Sequence, residues 1–329
     1  MRSVSVMYQI NSEWHRLKTC VVGRSWSPEF YSWVNDVDIR NQFETIASET
    51  EEDLHTLAVN LNALGVHTLR PTADVVEVEV DNLPKAPLAA RDHLLMLGNK
   101  LVKSFYNNTD PDFYKNISDH VIAQGNQEIE INLPSVCGAT VYQFPDCVFY
   151  SNNKSAHEFL QNRASNKKLT AFHQTGHIDG WFCPVTPGLI IAIDDPANHQ
   201  LLKLFFKMYF YNWEIVYIKP SLEKLPSFKN WQATHTGSWW LPGQESNNKL
   251  TEFVDYYFKN LLGYVAETVF ELNMLIIDNK NVVISGYNQQ IFDALKRHQV
   301  TPHVSQFRHK CFWDNGLHCV TSDLHREEI

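Results

Sequence analysis

The chain has 329 residues, of which 44% are hydrophobic and 12% aromatic, and a formal net charge of −9. That length and composition support a large core and leave no room for a long disordered tract, while the negative charge, without a cluster of Lys and Arg on one predicted face, argues against a nucleic-acid partner. The longest apolar stretch, Leu201 to Tyr211, is broken by Lys203 and Lys207 and is too short for a membrane span, and the N-terminus has no signal-peptide layout, so one cytoplasmic domain over residues 1–329 is expected.

In chain order, the first strong periodic signal is Leu54, Leu57, Leu61 and Leu64, a helical stripe that follows the acidic run Glu49 to Asp53. Four hairpins come next, each a pair of apolar runs around turn residues. His93–Leu97 turns at Gly98-Asn99 into Leu101–Ser104, and Thr140–Phe144 turns at Pro145-Asp146 into Cys147–Tyr150. Gly180–Cys183 turns at Thr186-Pro187-Gly188 into Leu189–Ile193, and Leu272–Ile277 turns at Asp278–Asn281 into Val282–Ser285. Between the last two, Phe253, Tyr256, Tyr257 and Leu261 form a second helical stripe. The turns centre near residues 98, 145, 187 and 279, so the last step, 92 residues, is about twice the others and implies a degenerate or hidden repeat. Two strands and a helix at this period suggest blades around a pseudo-symmetry axis, although a generic α+β domain with several hairpins would carry the same pattern.

Six cysteines, Cys20, Cys137, Cys147, Cys183, Cys311 and Cys319, are scattered along the chain without a Cys-x-x-Cys pair, and reduced thiols are expected. Cys311, His318 and Cys319 lack a matching second ligand pair, so zinc is not expected. The chemistry concentrates in two clusters 142 residues apart, His177-Ile178-Asp179 and Gly316-Leu317-His318-Cys319. A thiol, an imidazole and a carboxylate are the parts of a thiol-dependent active site. His318 follows Leu317 in an apparent strand, so it is expected to face away from Cys319 and serve the scaffold.

With Ala90-Arg91-Asp92 ahead of the first hairpin, these motifs occur in an order and spacing that resemble the amidinotransferase family, the glycine and inosamine-phosphate amidinotransferases. The similarity runs from Leu17–Arg24 to Asp323–Arg326 and is almost ungapped from Leu272 to Arg326. It implies an α+β fold, the five-bladed pentein propeller with pseudo-fivefold symmetry. It further implies that Cys319 attacks the guanidinium carbon of arginine and carries the amidino group to an amine. By the same resemblance His177 shuttles protons, Asp92 and Asp179 hold the guanidinium, and no cofactor or metal takes part. The partners would be small molecules, arginine and an amine acceptor, and the sequence leaves a homo-oligomer open. The residue types suit this chemistry, since carboxylates bind a planar guanidinium through paired, charge-assisted hydrogen bonds, and an imidazole near neutrality can exchange protons with amines.

Two positions depart from the family. The segment that supplies the aspartate orienting the catalytic histidine reads Cys137-Gly138-Ala139-Thr140 here, which puts Thr140 at that position. A threonine hydroxyl cannot compensate an imidazolium charge, and Asp146 and Glu267 are the candidate substitutes. Pro196 stands where the glycine enzyme has an arginine for the acceptor carboxylate, so the acceptor is expected not to be glycine. Two other readings stay open: a guanidine hydrolase of the deiminase or dimethylarginine-hydrolase type, and a non-catalytic pentein that binds a guanidine compound or a protein.

Overall fold

The computed structural model describes residues 6–73, 79–80, 83–105, 109–164, 166–220, 222, 225–234, 240–258 and 269–328. Glu267, proposed from the sequence as a supporting carboxylate, lies outside the described residues. The chain forms five three-stranded sheets of one plan, in which an antiparallel pair is followed by a helix and a third strand parallel to the second. β1 (Arg16–Val22), α1 (Val37–Ala63) and β2 (His67–Leu69) begin the first. The helical turn α2 (Ala90–His93) leads into β3 (Leu94–Leu97), β4 (Lys100–Ser104), α3 (Lys115–Ala123) and β5 (Gln127–Ile131). β6 (Val141–Gln143), β7 (Cys147–Ser151), α4 (Lys154–Gln161) and β8 (Lys168–Phe172) make the third unit, and β9 (Phe182–Thr186), β10 (Leu189–Ile193), α5 (His199–Tyr209) and β11 (Glu214–Ile218) the fourth. After α6 (Pro226–Thr234) and α7 (Asn248–Tyr257) come β12 (Leu275–Asp278), β13 (Asn281–Ile284), α8 (Gln289–Arg297) and β14 (Thr301–Val304). α9 (Lys310–Trp313) and β15 (Thr321–Glu327) end the chain.

All four sequence-read hairpins are present: β3–β4, β6–β7, β9–β10 and β12–β13. Gly188, at φ +96°, supplies the left-handed residue that the β9–β10 turn needs. The fifth unit does not come from the long step, where the spacing implies a degenerate or hidden repeat. Its antiparallel pair joins the two ends of the chain, with Val22 opposite Thr321 and Arg16 opposite Glu327, and β2 adds to β1 in parallel. Among the described residues, the 92-residue step holds β10, α5, β11, α6 and α7 before β12 begins.

Local chemistry starts the helices. Asp36 accepts hydrogen bonds from the backbone N–H of Asp38 and Ile39 to cap α1, and Asn153 and Asn288 cap α4 and α8 in the same way. Packing then stabilises them. On α8, Ile291, Ala294 and Leu295 are fully buried in one cluster with Val282 and Ile284 of β13, at about 1.5–3 kcal/mol for each large side chain. No described helix is long and apolar enough to cross a membrane.

A buried polar cluster links the sheets. The Arg91 Nη2 donates to Asp323 Oδ1 at 2.7 Å and Arg326 Nε donates to Asp323 Oδ2 at 2.8 Å. Arg326 also donates to the Ile276 carbonyl at 2.7 Å, and Gln143 Nε2 to the Met96 carbonyl at 2.6 Å. Glu13 accepts from the Gln143 backbone N–H at 2.8 Å, and burial, with the Asp323 charge, pushes its carboxyl up to about 7 against the pull of Arg326.

Candidate active site

Three segments converge: α2, the stretch 177–179, and the turn 317–320 ahead of β15. Backbone bonds hold each of them in place. The Arg91 N–H donates to the Cys319 carbonyl at 3.2 Å, and Ile178 and Asp179 both donate to the Ala139 carbonyl, at 2.8 and 3.4 Å. Arg91 Nε donates to the carbonyls of His318 and Thr321 at 2.8 and 2.9 Å, so one side chain fixes both ends of the turn that presents Cys319.

Cys319 is 3% exposed. Its sulfur receives a hydrogen bond from Asn273 Nδ2 at 3.1 Å, and its thiol donates toward Asp179 Oδ2 at 3.5 Å. Asp179 is buried, and its Oδ2 also accepts from His318 Nδ1 at 2.7 Å. Burial would raise the Asp179 carboxyl, but the His318 hydrogen bond and nearby positive charge outweigh it and hold the group below its usual value. Burial and then the Arg91 guanidinium lower His318, against the pull of the Asp179 carboxylate that its Nδ1 meets. His318 therefore faces the site, contrary to the strand-based expectation. The reason is local: residues 317–320 form a turn, and alternation of faces applies only within a strand.

His177 stands on the other side, with its Nδ1 3.8 Å from Asp92 Oδ1 and 39% of its side chain exposed. Burial is the strongest single influence here and works against a charged ring. The Asp92 charge and a hydrogen bond with the Cys137 thiol hold His177 well above its ordinary value, and Asp179 adds to the effect. The four residues assigned from the motifs, Cys319, His177, Asp92 and Asp179, thus lie in one neighbourhood. Two of their buried oxygens, Asp92 Oδ1 and Asp179 Oδ1, accept no hydrogen bond.

The remaining sequence candidates lie elsewhere. The Thr140 hydroxyl is engaged within its own turn, donating to the carbonyls of Ser135 and Cys137 at 3.0 Å each and accepting from the Cys137 N–H at 3.0 Å. Asp146 is exposed in the β6–β7 turn, where it meets Cys147, at the opposite end of β6 from the Ala139 carbonyl that anchors Ile178 and Asp179. What meets His177 is Asp92 and Cys137. Pro196 is exposed in the loop after β10. Among the described residues no group of three His, Cys, Asp or Glu side chains is placed to hold a metal ion.

Asn273 is the site residue that sequence reasoning missed. It lies just before β12, 2% exposed, inside the apolar run Leu272 to Ile277, and a buried amide in such a run was the available signal. Gly316 makes room for it, because a Cβ there would sit 2.4 Å from both the Cβ and Oδ1 of Asn273.

No family model matches this chain, and no curated protein matches it. Solved structures do. The inosamine-phosphate amidinotransferase of Streptomyces griseus superposes with a TM-score of 0.65 at 17% identity, over 98% of each chain. An amidinotransferase of the saxitoxin biosynthetic pathway from Microseira wollei gives 0.64 at 15% identity, again over 98% of each. A DDAH from Pseudomonas aeruginosa, solved in complex with citrulline, gives 0.55 at 9% identity over 94% of this chain and 100% of that one. At such identities the likeness is one of fold, and the fold of this chain is the mixed α/β pentein fold that these amidinotransferases and DDAH share.

Proposed function

We propose that this protein is an amidinotransferase that moves the amidino group of L-arginine through a covalent Cys319 intermediate to an amine other than glycine, within a five-bladed propeller. The propeller reading is supported by five sheets of one strand order, the first of them closed by the two chain ends. The observation that carries the function is the pair of orphan oxygens on Asp92 and Asp179, one beside His177 and the other on the carboxylate next to Cys319. A buried acceptor without a donor costs about 1–3 kcal/mol, and a guanidinium brings five N–H donors and a full positive charge to such a pair.

In this reading the thiolate of Cys319 forms a bond to the guanidinium carbon and the bond from that carbon to the ornithine nitrogen breaks, with His177, held protonated, giving its proton to the departing nitrogen. The acceptor amine then returns a proton to His177 as its nitrogen bonds to the same carbon and the carbon–sulfur bond breaks. Pro196, in place of a cationic side chain, supports an acceptor other than glycine. A hydrolase is the second reading. It is favoured by the openness of His177, which could direct water instead of an amine, and by the likeness of fold to the citrulline-bound DDAH.

Incubation with guanidino-labelled arginine tests both. Transfer predicts a labelled adduct on Cys319, its loss in Cys319→Ala, and ornithine released in step with acceptor modification. Citrulline and ammonia would establish hydrolysis instead, and an absent adduct, or one that survives Cys319→Ala, would overturn the covalent mechanism.

A further inference from the structure

We propose that Asn273 is a further catalytic residue, the amide donor that holds the Cys319 sulfur in its reactive, ionised form; this rests on the reading of Cys319 as the nucleophile. Asn273 engages the turn three times. Its backbone carbonyl accepts from the His318 N–H at 3.2 Å, its Oδ1 accepts from the Cys319 N–H at 3.0 Å, and its Nδ2 donates to Sγ at 3.1 Å. The second bond settles the third. A backbone N–H requires an acceptor, so Oδ1 must face Cys319 N, and the amide nitrogen is then left pointing at the sulfur.

The electrostatics show what that contact does. Asp179 Oδ2, 3.5 Å from the sulfur, disfavours a thiolate, because two negative charges at that separation repel strongly in a buried site. A hydrogen bond donated to an ionised acceptor is about twice as strong as one between neutral groups, so Nδ2–H stabilises the thiolate more than the thiol. The other titratable and charged groups near the turn, among the described residues, are Arg91 and Asp92 on α2, which is tied to Cys319 through the Arg91 N–H, His177 beside Asp92, and His318, which burial lowers. A residue needed only to shape the turn would act through Oδ1 and its backbone carbonyl, and the thiol titration would not depend on it. Gly316 belongs to the same device, since any larger residue there displaces Asn273 from the sulfur.

The test is alkylation of Cys319 by iodoacetamide in the full chain, followed from about pH 5 to pH 10 by peptide mass spectrometry, which reads thiolate content directly. Asn273→Asp keeps an acceptor for the Cys319 N–H and puts a carboxylate oxygen against the sulfur. Its rate midpoint should rise by about one pH unit or more, and its rate at neutral pH should fall about tenfold. Gly316→Ala should shift the midpoint the same way by a separate route. Where either variant loses its far-UV circular dichroism, the wild type decides: the Asn273 side-chain amide resonance should move with the Cys319 titration and stay still in Cys319→Ser. A folded Asn273→Asp with an unchanged midpoint, or an amide resonance indifferent to Cys319, overturns the proposal. The arginine-labelling experiment is separate, because a missing adduct would remove amidino transfer while leaving this thiol measurement intact.

Discussion

Asp323 and Asp179 are both buried carboxylates within reach of the same turn, yet their surroundings differ in one respect. Each oxygen of Asp323 meets a guanidinium from the chain itself, Arg91 on one side and Arg326 on the other. Asp179 spends one oxygen on His318 and the Cys319 thiol and leaves the other without a donor, as Asp92 does beside His177. The saturated cluster uses arginine as structure. The unsaturated one keeps buried acceptors without donors, and it is there that the proposed substrate would bring its guanidinium. A buried ion pair fully satisfied within the chain is part of the folding unit, whereas a buried carboxylate left half satisfied sacrifices stability at a place where a ligand can restore it.

Breaking the saturated cluster should have the largest effect on stability. Asp323→Asn leaves two buried guanidinium groups facing a neutral amide, and a loss of about 3–5 kcal/mol in denaturant unfolding is expected. Burial works against ionised Asp323, but Arg326 and Arg91 hold its carboxyl well below the usual range, so its contribution persists until strongly acidic pH. An Asp323→Asn protein as stable as the parent would erase the distinction between the clusters.

Glu13, at the edge of the same cluster, gives the next effect and the opposite pH dependence. Its folded-state value of about 7 lies above the ordinary 4.5, so the folded state binds the extra proton. The stability this contributes is fully present below about pH 4.5 and is lost as pH rises through about 7, at most roughly 3 kcal/mol. Glu13→Gln keeps an oxygen for the Gln143 N–H and removes the titration. The melting temperature of the variant should then exceed that of the parent above pH 7, with the slope between pH 5 and 8 flattened; an unaltered slope would show that Glu13 is not the titrating group.

The contrast between the clusters also marks what the sequence could reveal. Four hairpins were readable because each is closed by its own turn residues within about a dozen positions. The β15–β1 pair was not, since Thr321 and Val22 meet across nearly the whole chain and no local signal announces it. Cys319, His177, Asp92 and Asp179 stand out in the sequence through short motifs whose chemistry is distinctive. Asn273 was hidden because its three bonds all reach across 45 or 46 residues to the turn, and His318 was misread because a turn took the place of an assumed strand. Thr140 was readable as a departure, but its engagement with Ser135 and Cys137, and the meeting of Cys137 with His177, depend on how residues 135–140 fold back on themselves.

The most discriminating change is the smallest in stability. Asp179→Asn keeps an oxygen for His318 Nδ1–H but removes the charge beside Cys319. Because Oδ1 of Asp179 has no partner to lose, unfolding free energy should change by less than about 1 kcal/mol, in contrast to Asp323→Asn. Guanidinium binding should suffer, with kcat/KM for arginine falling about 30-fold, roughly 2 kcal/mol, mostly through KM. If Asp179→Asn instead destabilises the fold by as much as Asp323→Asn while arginine turnover in the surviving folded fraction is unchanged, the orphan oxygen is a feature of packing alone. A stable variant that no longer loads Cys319 would establish that the two clusters divide the work, one guanidinium site belonging to the fold and the other to the substrate.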